Sequence, residues 1–182
     1  MESIKHLCSS LLQQFKRRNE KQLRDLKDAL LKEATLRSSK LYFEIAVTAY
    51  ALSKITSKPR LLTREYNGEL QRIEKSLGEL VDGIGRYDDD GLLRIIKRIE
   101  EDMKALERVD RRFFRDVIAK GRTKLAATMY AQGISLGVAS EMSGIEKQEV
   151  QEYAGSTMMF DRVKEEISIA ERIKKARKML GE

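Results

Sequence analysis

The sequence predicts an all-α protein: a long-helix antiparallel bundle, a module of short helices, and a C-terminal helix. Two features of composition favour this class. Strong helix formers dominate, and 36% of the 182 residues are charged, whereas there is one proline and no tryptophan. The third observation is periodicity, because apolar residues recur three and four positions apart along most of the chain.

The first two patterns predict one short and one very long helix. Apolar residues between Ile4 and Phe15 share one helical face, and Asn19 is placed to cap the segment that follows. Residues 20–57 contain neither glycine nor proline, so the spacing predicts one continuous helix, about 55 Å long at 1.5 Å per residue. Pro59 ends it, because the residue before a proline is driven out of the helical region.

Two further patterns complete the predicted bundle. The third runs from Tyr66 to Ile84, with Thr63 as its expected N-cap. The fourth steps from Leu92 to Val117 in alternating intervals of four and three, and only Asp110 interrupts its apolar stripe. Stripes of this kind joined by short turns predict an antiparallel bundle or a long helical hairpin, and heptad-like helices of this length favour a homodimer.

The predicted domain boundary lies near Gly121. Residues 1–120 are assigned to the bundle and residues 121–182 to the module and the C-terminal helix. Gly121 is either this boundary or a weak point in a helix that continues to Gln132.

Residues 124–155 have the spacing of a helix-turn-helix. Gly133 is expected to stop the first helix, Ser135 to cap the second, and Gly144 to supply a left-handed corner before the third. Ser140 is small where the helices cross, and Gly155 is expected to end the third helix. Apolar anchors for that helix are Ile145 and Val150.

The run "LAATMYAQGISLGVASEMSGIEKQEV" resembles a small prokaryotic antitoxin-type family associated with PIN-domain ribonucleases. About 30 residues carry the resemblance, through Tyr130, Gly133, Ile134, Ser135, Leu136, Gly137, Ala139, Glu141 and Gly144. The long bundle lies outside it. The resemblance implies a regulatory or antitoxin-like role for the module.

Charge predicts where nucleic acid is contacted. The net charge is +7. Residues 1–60 hold 13 Lys/Arg against 6 Asp/Glu, and this difference of seven equals the net charge of the whole chain. Basic clusters attract phosphates. The predicted nucleic-acid contacts are Lys16, Arg17, Arg18, Lys21, Arg24, Lys124, Lys147, Gln148 and Gln151. We therefore expect a non-enzymatic, nucleic-acid-associated binding protein that acts on DNA or RNA.

The last helix of the module favours an alternative. A DNA-reading helix exposes arginine, lysine, asparagine or glutamine, but this one carries Glu146, Glu149 and Glu152 against Lys147 alone. Carboxylates repel phosphates. The alternative is a protein-interaction or scaffold protein whose acidic helix-turn-helix surface docks another protein.

Other patterns yield no further site. His6 and Cys8 do not share a helical face, so we expect no metal there. The "DDDG" run at 88–91 lacks the glutamate that a calcium loop needs at its twelfth position. We therefore expect Asp90 to cap a helix instead. A phosphate-binding stripe at Arg108, Arg112 and Arg115 is weaker than mutual surface pairing, because acidic residues intersperse it.

The remaining predictions concern chemistry and location. There is no Gly-rich phosphate loop and no nucleophile-base pair in a recognisable frame, so we expect neither an enzyme nor a cofactor. The longest apolar stretch is far below the roughly 20 residues that span a bilayer, and the sequence favours a cytoplasmic location. Residues 163–180 are amphipathic and predict a docked C-terminal helix.

Overall fold

The computed structural model describes residues 4–109 and 117–162, and it confirms the all-α prediction for this part of the chain. Helices pack in antiparallel pairs, and no strand occurs within these two ranges. The helices are α1 (Ile4–Lys16), α2 (Glu20–Arg37), α3 (Lys40–Thr56), α4 (Asn67–Gly83), α5 (Asp89–Val109), α6 (Val117–Ala131), α7 (Leu136–Ser143), α8 (Lys147–Ser156) and α9 (Met159–Arg162). Two 3₁₀ turns, Pro59–Leu62 and Arg64–Tyr66, connect α3 to α4.

The prediction of one continuous helix over residues 20–57 is wrong. The chain turns at Ser38, whose backbone is left-handed at φ 50°, and Ser39 then caps α3 by accepting the N–H of Tyr42 at 3.5 Å. Serine side chains offer the backbone hydrogen bonds that compete with the helix, so two adjacent serines end α2 without glycine or proline. Helices α2 and α3 pack along each other as a hairpin.

Helix α3 is the central helix of the described structure. It packs against α1, α2, α5, α6 and α7. Most of its residues are buried, and they lie on all faces of the helix, as expected of a helix that is surrounded by other helices. The largest fully buried side chain of α3 is Phe43, which is 0% exposed.

Helices α4 and α5 form a second hairpin whose caps differ from those predicted. Thr63 does not cap α4, which begins four residues later; its hydroxyl instead donates to the carbonyl of Arg60 at 3.1 Å. The carboxylate of Asp88 accepts the N–H of Gly91 at 2.8 Å. Asp88 therefore caps α5 in place of Asp90, which lies inside the first turn.

Several predictions for the end of the fourth apolar pattern and for the C-terminus lie outside the described residues. They concern Asp110, the side chains of the arginine stripe at 108, 112 and 115, and the C-terminal helix at 163–180. Val117, the last position of the fourth pattern, begins α6.

Helix α6 runs through Gly121 without interruption. A Cβ at this position would lie 2.7 Å from Cδ1 of Tyr50, so glycine permits the close approach of α6 to α3. The core that begins with α1 continues into Leu125 and Met129 of α6 and Met142 of α7. Division of the chain into two domains stays a prediction, and its proposed boundary lies within a helix.

Helices α6, α7 and α8 occupy the residues for which the sequence predicts a helix-turn-helix. Ser135 caps α7 by accepting the N–H of Val138 at 3.2 Å, and Gly144 makes the corner at φ 70°. The Ser140 hydroxyl donates to the carbonyl of Ile145 at 2.7 Å and ties the corner together. Val150 is fully buried. The end predicted at Gly155 is wrong by one residue, because α8 continues to Ser156.

Alanine at Gly144 is expected to lower the free energy of unfolding by about 1–2 kcal/mol, because a side chain is strained in the left-handed region that this residue adopts. Gly155 is the matched control, since it lies inside α8 with open space around its Cβ position. Gly155→Ala should stabilise the protein by up to about 1 kcal/mol. Urea unfolding of both variants measures the difference, and equal effects would contradict the corner assigned to Gly144.

Candidate nucleic-acid interface

The predicted basic residues of the first third gather at the corner between α1 and α2. Lys16, Arg17 and Lys21 are exposed and make no ion pair among the described residues. Two neighbours have structural partners: Arg18 pairs with Glu74 of α4 at 2.9 Å, and Arg24 pairs with Glu20. We call Lys16, Arg17 and Lys21 the corner cations.

Arg18 also serves the fold of this corner. Its backbone is left-handed at φ 55°, its guanidinium lies over the Phe15 ring at 4.7 Å, and it donates to the Phe15 carbonyl at 2.9 Å. These contacts leave Arg18 less able than the corner cations to reach a phosphate.

The predicted contacts of the module lie on two helices that pack on each other, α6 and α8. Lys124 lies over the ring of Tyr50 at 5.6 Å, at the contact between α6 and α3. Lys147, Gln148 and Gln151 are exposed on α8. The predicted contacts of the first third and those of α8 lie on helices with different neighbours. Helix α1 packs mainly on α2, α3 and α4, whereas α8 packs on α6, α7 and α9.

The exposed surface of α8 and its corner is acidic. Gln148 donates to Glu152 at 2.9 Å, and Glu149 accepts from the Thr123 hydroxyl at 2.9 Å. Glu141 and Glu146 are exposed nearby in sequence, and Lys147 is the single basic residue of α8. The side chains best suited to reading bases are thus surrounded by carboxylates that oppose phosphate approach.

A group of cations that sequence reasoning missed lines a cavity of about 740 Å³ at the α4–α5 turn. We call it the turn cavity. Its cations are Arg86, Arg94, Lys97 and Arg98, and its carboxylates are Glu79, Asp82 and Glu101. Arg98 pairs with Glu79 at 2.7 Å. Arg86, Arg94 and Lys97 are exposed and have no ion pair in the described ranges, so we call them the turn cations.

The sequence does contain a signal for the turn cations. Positions 94, 97 and 98 are spaced three and four apart, which places these basic side chains on one face of α5. Arg86 comes from the preceding turn. In the sequence these residues lie in a middle third without a basic excess, where 13 Lys/Arg stand against 14 Asp/Glu, so only their folded arrangement reveals the group.

A buried ion-pair cluster joins α6 to the bundle. Arg122 contacts Glu44 of α3 at 2.5 Å and Glu100 of α5 at 2.6 Å. Glu44 is 4% exposed and Glu100 is 9% exposed, while the second carboxylate oxygen of Glu44, Oε2, is buried without a hydrogen-bond partner in the described structure. These residues line a second cavity, of about 460 Å³, between α3, α5, α6 and the Gly144 corner.

Burial raises the pKa of Glu44 above its usual value, although Arg122 opposes the shift. For Arg122 burial disfavours the charged form, but the hydrogen bonds and charges of Glu44 and Glu100 outweigh it, so the pKa of Arg122 is raised. The cluster therefore keeps Arg122 charged and binds it to two carboxylates, one of which has an oxygen atom without a hydrogen-bond partner in the described structure.

The raised pKa of Glu44 predicts a pH-dependent stability. A carboxyl whose pKa is higher in the folded than in the unfolded state binds more protons when folded. Its contribution to the free energy of unfolding is therefore largest below the unfolded pKa of about 4.5 and falls as pH rises through the folded value. Unfolding curves of wild type and Glu44→Gln from pH 4 to 7 check this. The wild type should lose stability relative to the variant as pH rises, and the opposite slope would contradict the shift.

Cys8 is buried in the core, and burial raises the pKa of its thiol to about 12. Such a thiol stays protonated at neutral pH and is a poor nucleophile. Across residues 4–109 and 117–162 there is no group of three or more metal-ligating side chains, and no helix there is long and apolar enough to cross a membrane.

Comparison of the chain with models of protein families, with curated proteins and with solved structures finds no match. The antitoxin resemblance of the module thus stays a prediction carried by the residues named above. The function has to be argued from the surface chemistry of this chain.

Proposed function

We propose that this chain is a cytoplasmic, non-enzymatic, nucleic-acid-associated binding protein whose phosphate contacts come from the bundle. One observation carries the proposal: Arg86, Arg94 and Lys97 converge on one cavity without ion-pair partners among the described residues. Cations left unpaired in a concave site are suited to phosphate oxygens. The corner cations supply a second group of the same chemistry on the same bundle.

In this proposal the helix-turn-helix has a role other than reading bases with α8. Its acidic surface would weaken phosphate binding, whereas the part of its core that lies in α6 and α7 is continuous with the bundle. The fold of a module does not by itself assign its activity. A regulatory or antitoxin-like action would then depend on the bundle for nucleic-acid affinity, and homodimerisation would double the number of cations available.

Binding to nucleic acid should be strongly salt-dependent. Fluorescence anisotropy of labelled duplex DNA and single-stranded RNA at about 50 and 200 mM salt should show a loss of affinity on the order of a thousandfold if six phosphates are contacted. That number equals the three turn cations and three corner cations together. The physical reason is the release of counterions that those phosphates had condensed.

Charge reversal then locates the interface. Arg86→Glu/Arg94→Glu/Lys97→Glu and Lys16→Glu/Arg17→Glu/Lys21→Glu should each abolish most of the affinity and flatten the salt dependence. The matched control is Lys5→Glu/Lys104→Glu/Lys120→Glu, which makes the same change of net charge at exposed lysines on three different helices. An equal loss in the control, or no binding at the lower salt, would refute the proposal.

A second function has one observation in its favour. The exposed carboxylates Glu141, Glu146 and Glu152 make the module surface suited to a basic protein segment. A labelled nona-arginine peptide tests this alternative. Binding that is lost in Glu146→Gln/Glu152→Gln would favour protein docking, whereas no binding of the peptide to wild type would count against it.

A further inference from the structure

We infer that the turn cavity binds an unpaired nucleotide of a single strand, with the base stacked on Tyr87 and the flanking phosphates on the turn cations. This inference rests on the proposed function and adds the strandedness of the ligand and the residue that recognises it. It does not depend on the module.

Tyr87 is the exposed aromatic side chain of the turn cavity. It is 58% exposed, more than any other large hydrophobic side chain that lines this cavity. Its neighbour Arg86 is one of the turn cations. An aromatic ring and a guanidinium on adjacent residues present a stacking surface beside a phosphate-binding group.

Two glycines hold the Tyr87 ring in place. A Cβ at Gly83 would lie 2.9 Å from Cδ2 of Tyr87, and a Cβ at Gly91 would lie 2.8 Å from its Cβ. The backbone N–H of Tyr87 also donates to the Gly83 carbonyl at 3.0 Å. The ring therefore packs on the glycine surfaces of α4 and α5, and this packing orders it before any ligand binds, which reduces the entropic cost of binding.

The charges of the turn cavity favour a single strand over a free anion. Arg98 and Glu79 neutralise each other, which leaves the three turn cations against Asp82 and Glu101. Phosphates satisfy the cations, while the carboxylates are acceptors for the N–H groups of a base.

The exposed ring favours a single strand over a duplex. In a duplex the base faces are covered by neighbouring pairs, so Tyr87 has a face to stack on only when the strand is unpaired.

The test compares a labelled 12-nucleotide uridine RNA, a 12-nucleotide thymidine DNA and a 12-base-pair duplex DNA by anisotropy. Tyr87→Ala should weaken binding of at least one single strand by roughly five- to 150-fold, the equivalent of one lost base stack, and should leave the duplex unchanged. Tyr87→Phe should keep the affinity, because stacking needs the ring alone. The single strand that shows the larger loss identifies whether RNA or DNA is the ligand.

Phe160→Ala is the matched control, since Phe160 is similarly exposed, at 52%, but lies on α9. It should change no affinity. Gly91→Ala is a second variant, because the added Cβ would lie 2.8 Å from the Cβ of Tyr87 and 3.0 Å from Oδ1 of Asp88, so the Tyr87 side chain has to shift although no charged residue is replaced. It should reproduce the loss seen in Tyr87→Ala, with folding verified by circular dichroism.

Failure of this inference is separable from failure of the proposed function. If the turn-cation variant loses affinity for all three probes while Tyr87→Ala loses none, the stacking inference is overturned and the proposed function survives. If wild type binds none of the probes at the lower salt, both are overturned. An equal loss of single strand and duplex in Tyr87→Ala also overturns the stacking inference.

Discussion

Replacing Arg122 by methionine is expected to lower the free energy of unfolding by about 3–5 kcal/mol, the range for removal of one partner from a buried ion pair. Arg122 is the cation that both Glu44 and Glu100 contact, and both glutamate residues are buried. Without it, two like charges face each other in a poorly solvated site. Because total stabilities of domains are about 5–15 kcal/mol, the loss is large enough to measure by urea unfolding.

Two controls separate the buried charge from the mere loss of an arginine. Arg98→Met removes an exposed partner of Glu79, and exposed pairs contribute about 0–1 kcal/mol. The triple variant Arg122→Met/Glu44→Gln/Glu100→Gln removes the charges together and should recover a large part of the stability. If Arg122→Met costs no more than Arg98→Met, the cluster contributes little, and the described geometry does not stabilise the protein.

Most of the helices were predictable because their signals are local. The apolar spacing of α1, α4 and α5, the cap at Asn19 and the left-handed corner at Gly144 all depend on residues close in sequence. The break at Ser38 was missed because a serine pair is a weak stop signal, and the packing of α2 against α3 determines where the chain turns. Propensity thus predicts that a helix exists better than where it ends.

The sites were harder to predict because they join residues that are far apart in the chain. Arg122 lies 78 positions from Glu44, and no motif links them. The turn cavity depends on the pairing of α4 with α5, which gathers cations from a third of the chain that has no basic excess of its own. Conversely, Arg18 and Arg24 belong to the most basic stretch, but the fold uses them in ion pairs with Glu74 and Glu20.

Phe43→Ala is expected to cost about 3–5 kcal/mol, because truncation of a fully buried phenylalanine removes apolar contacts and leaves a cavity. Leu36→Ala is the matched control: Leu36 lies near the end of the adjacent helix α2 but is 69% exposed, so its truncation should change stability by less than about 0.5 kcal/mol. Urea unfolding followed by circular dichroism measures both. Equal costs would mean that α3 is not the central helix of the core.

The same variant shows whether the bundle and the module unfold together. Phe43 lies on α3, and α3 packs directly on α6 and α7. The core that contains Phe43 also contains Met129 and Met142 of the module, whereas Val150 and Ala154 of α8 pack with Ala126 and Ala127 of α6 in a separate cluster. Because α6 contributes to both clusters, hydrogen exchange of Phe43→Ala should show protection lost to a similar degree in α1 and in α8, as expected of one cooperative unit. If α8 keeps its wild-type protection while α1 loses its own, the module is a separate folding unit, and the predicted division near residue 120 is correct despite the continuous helix that crosses it.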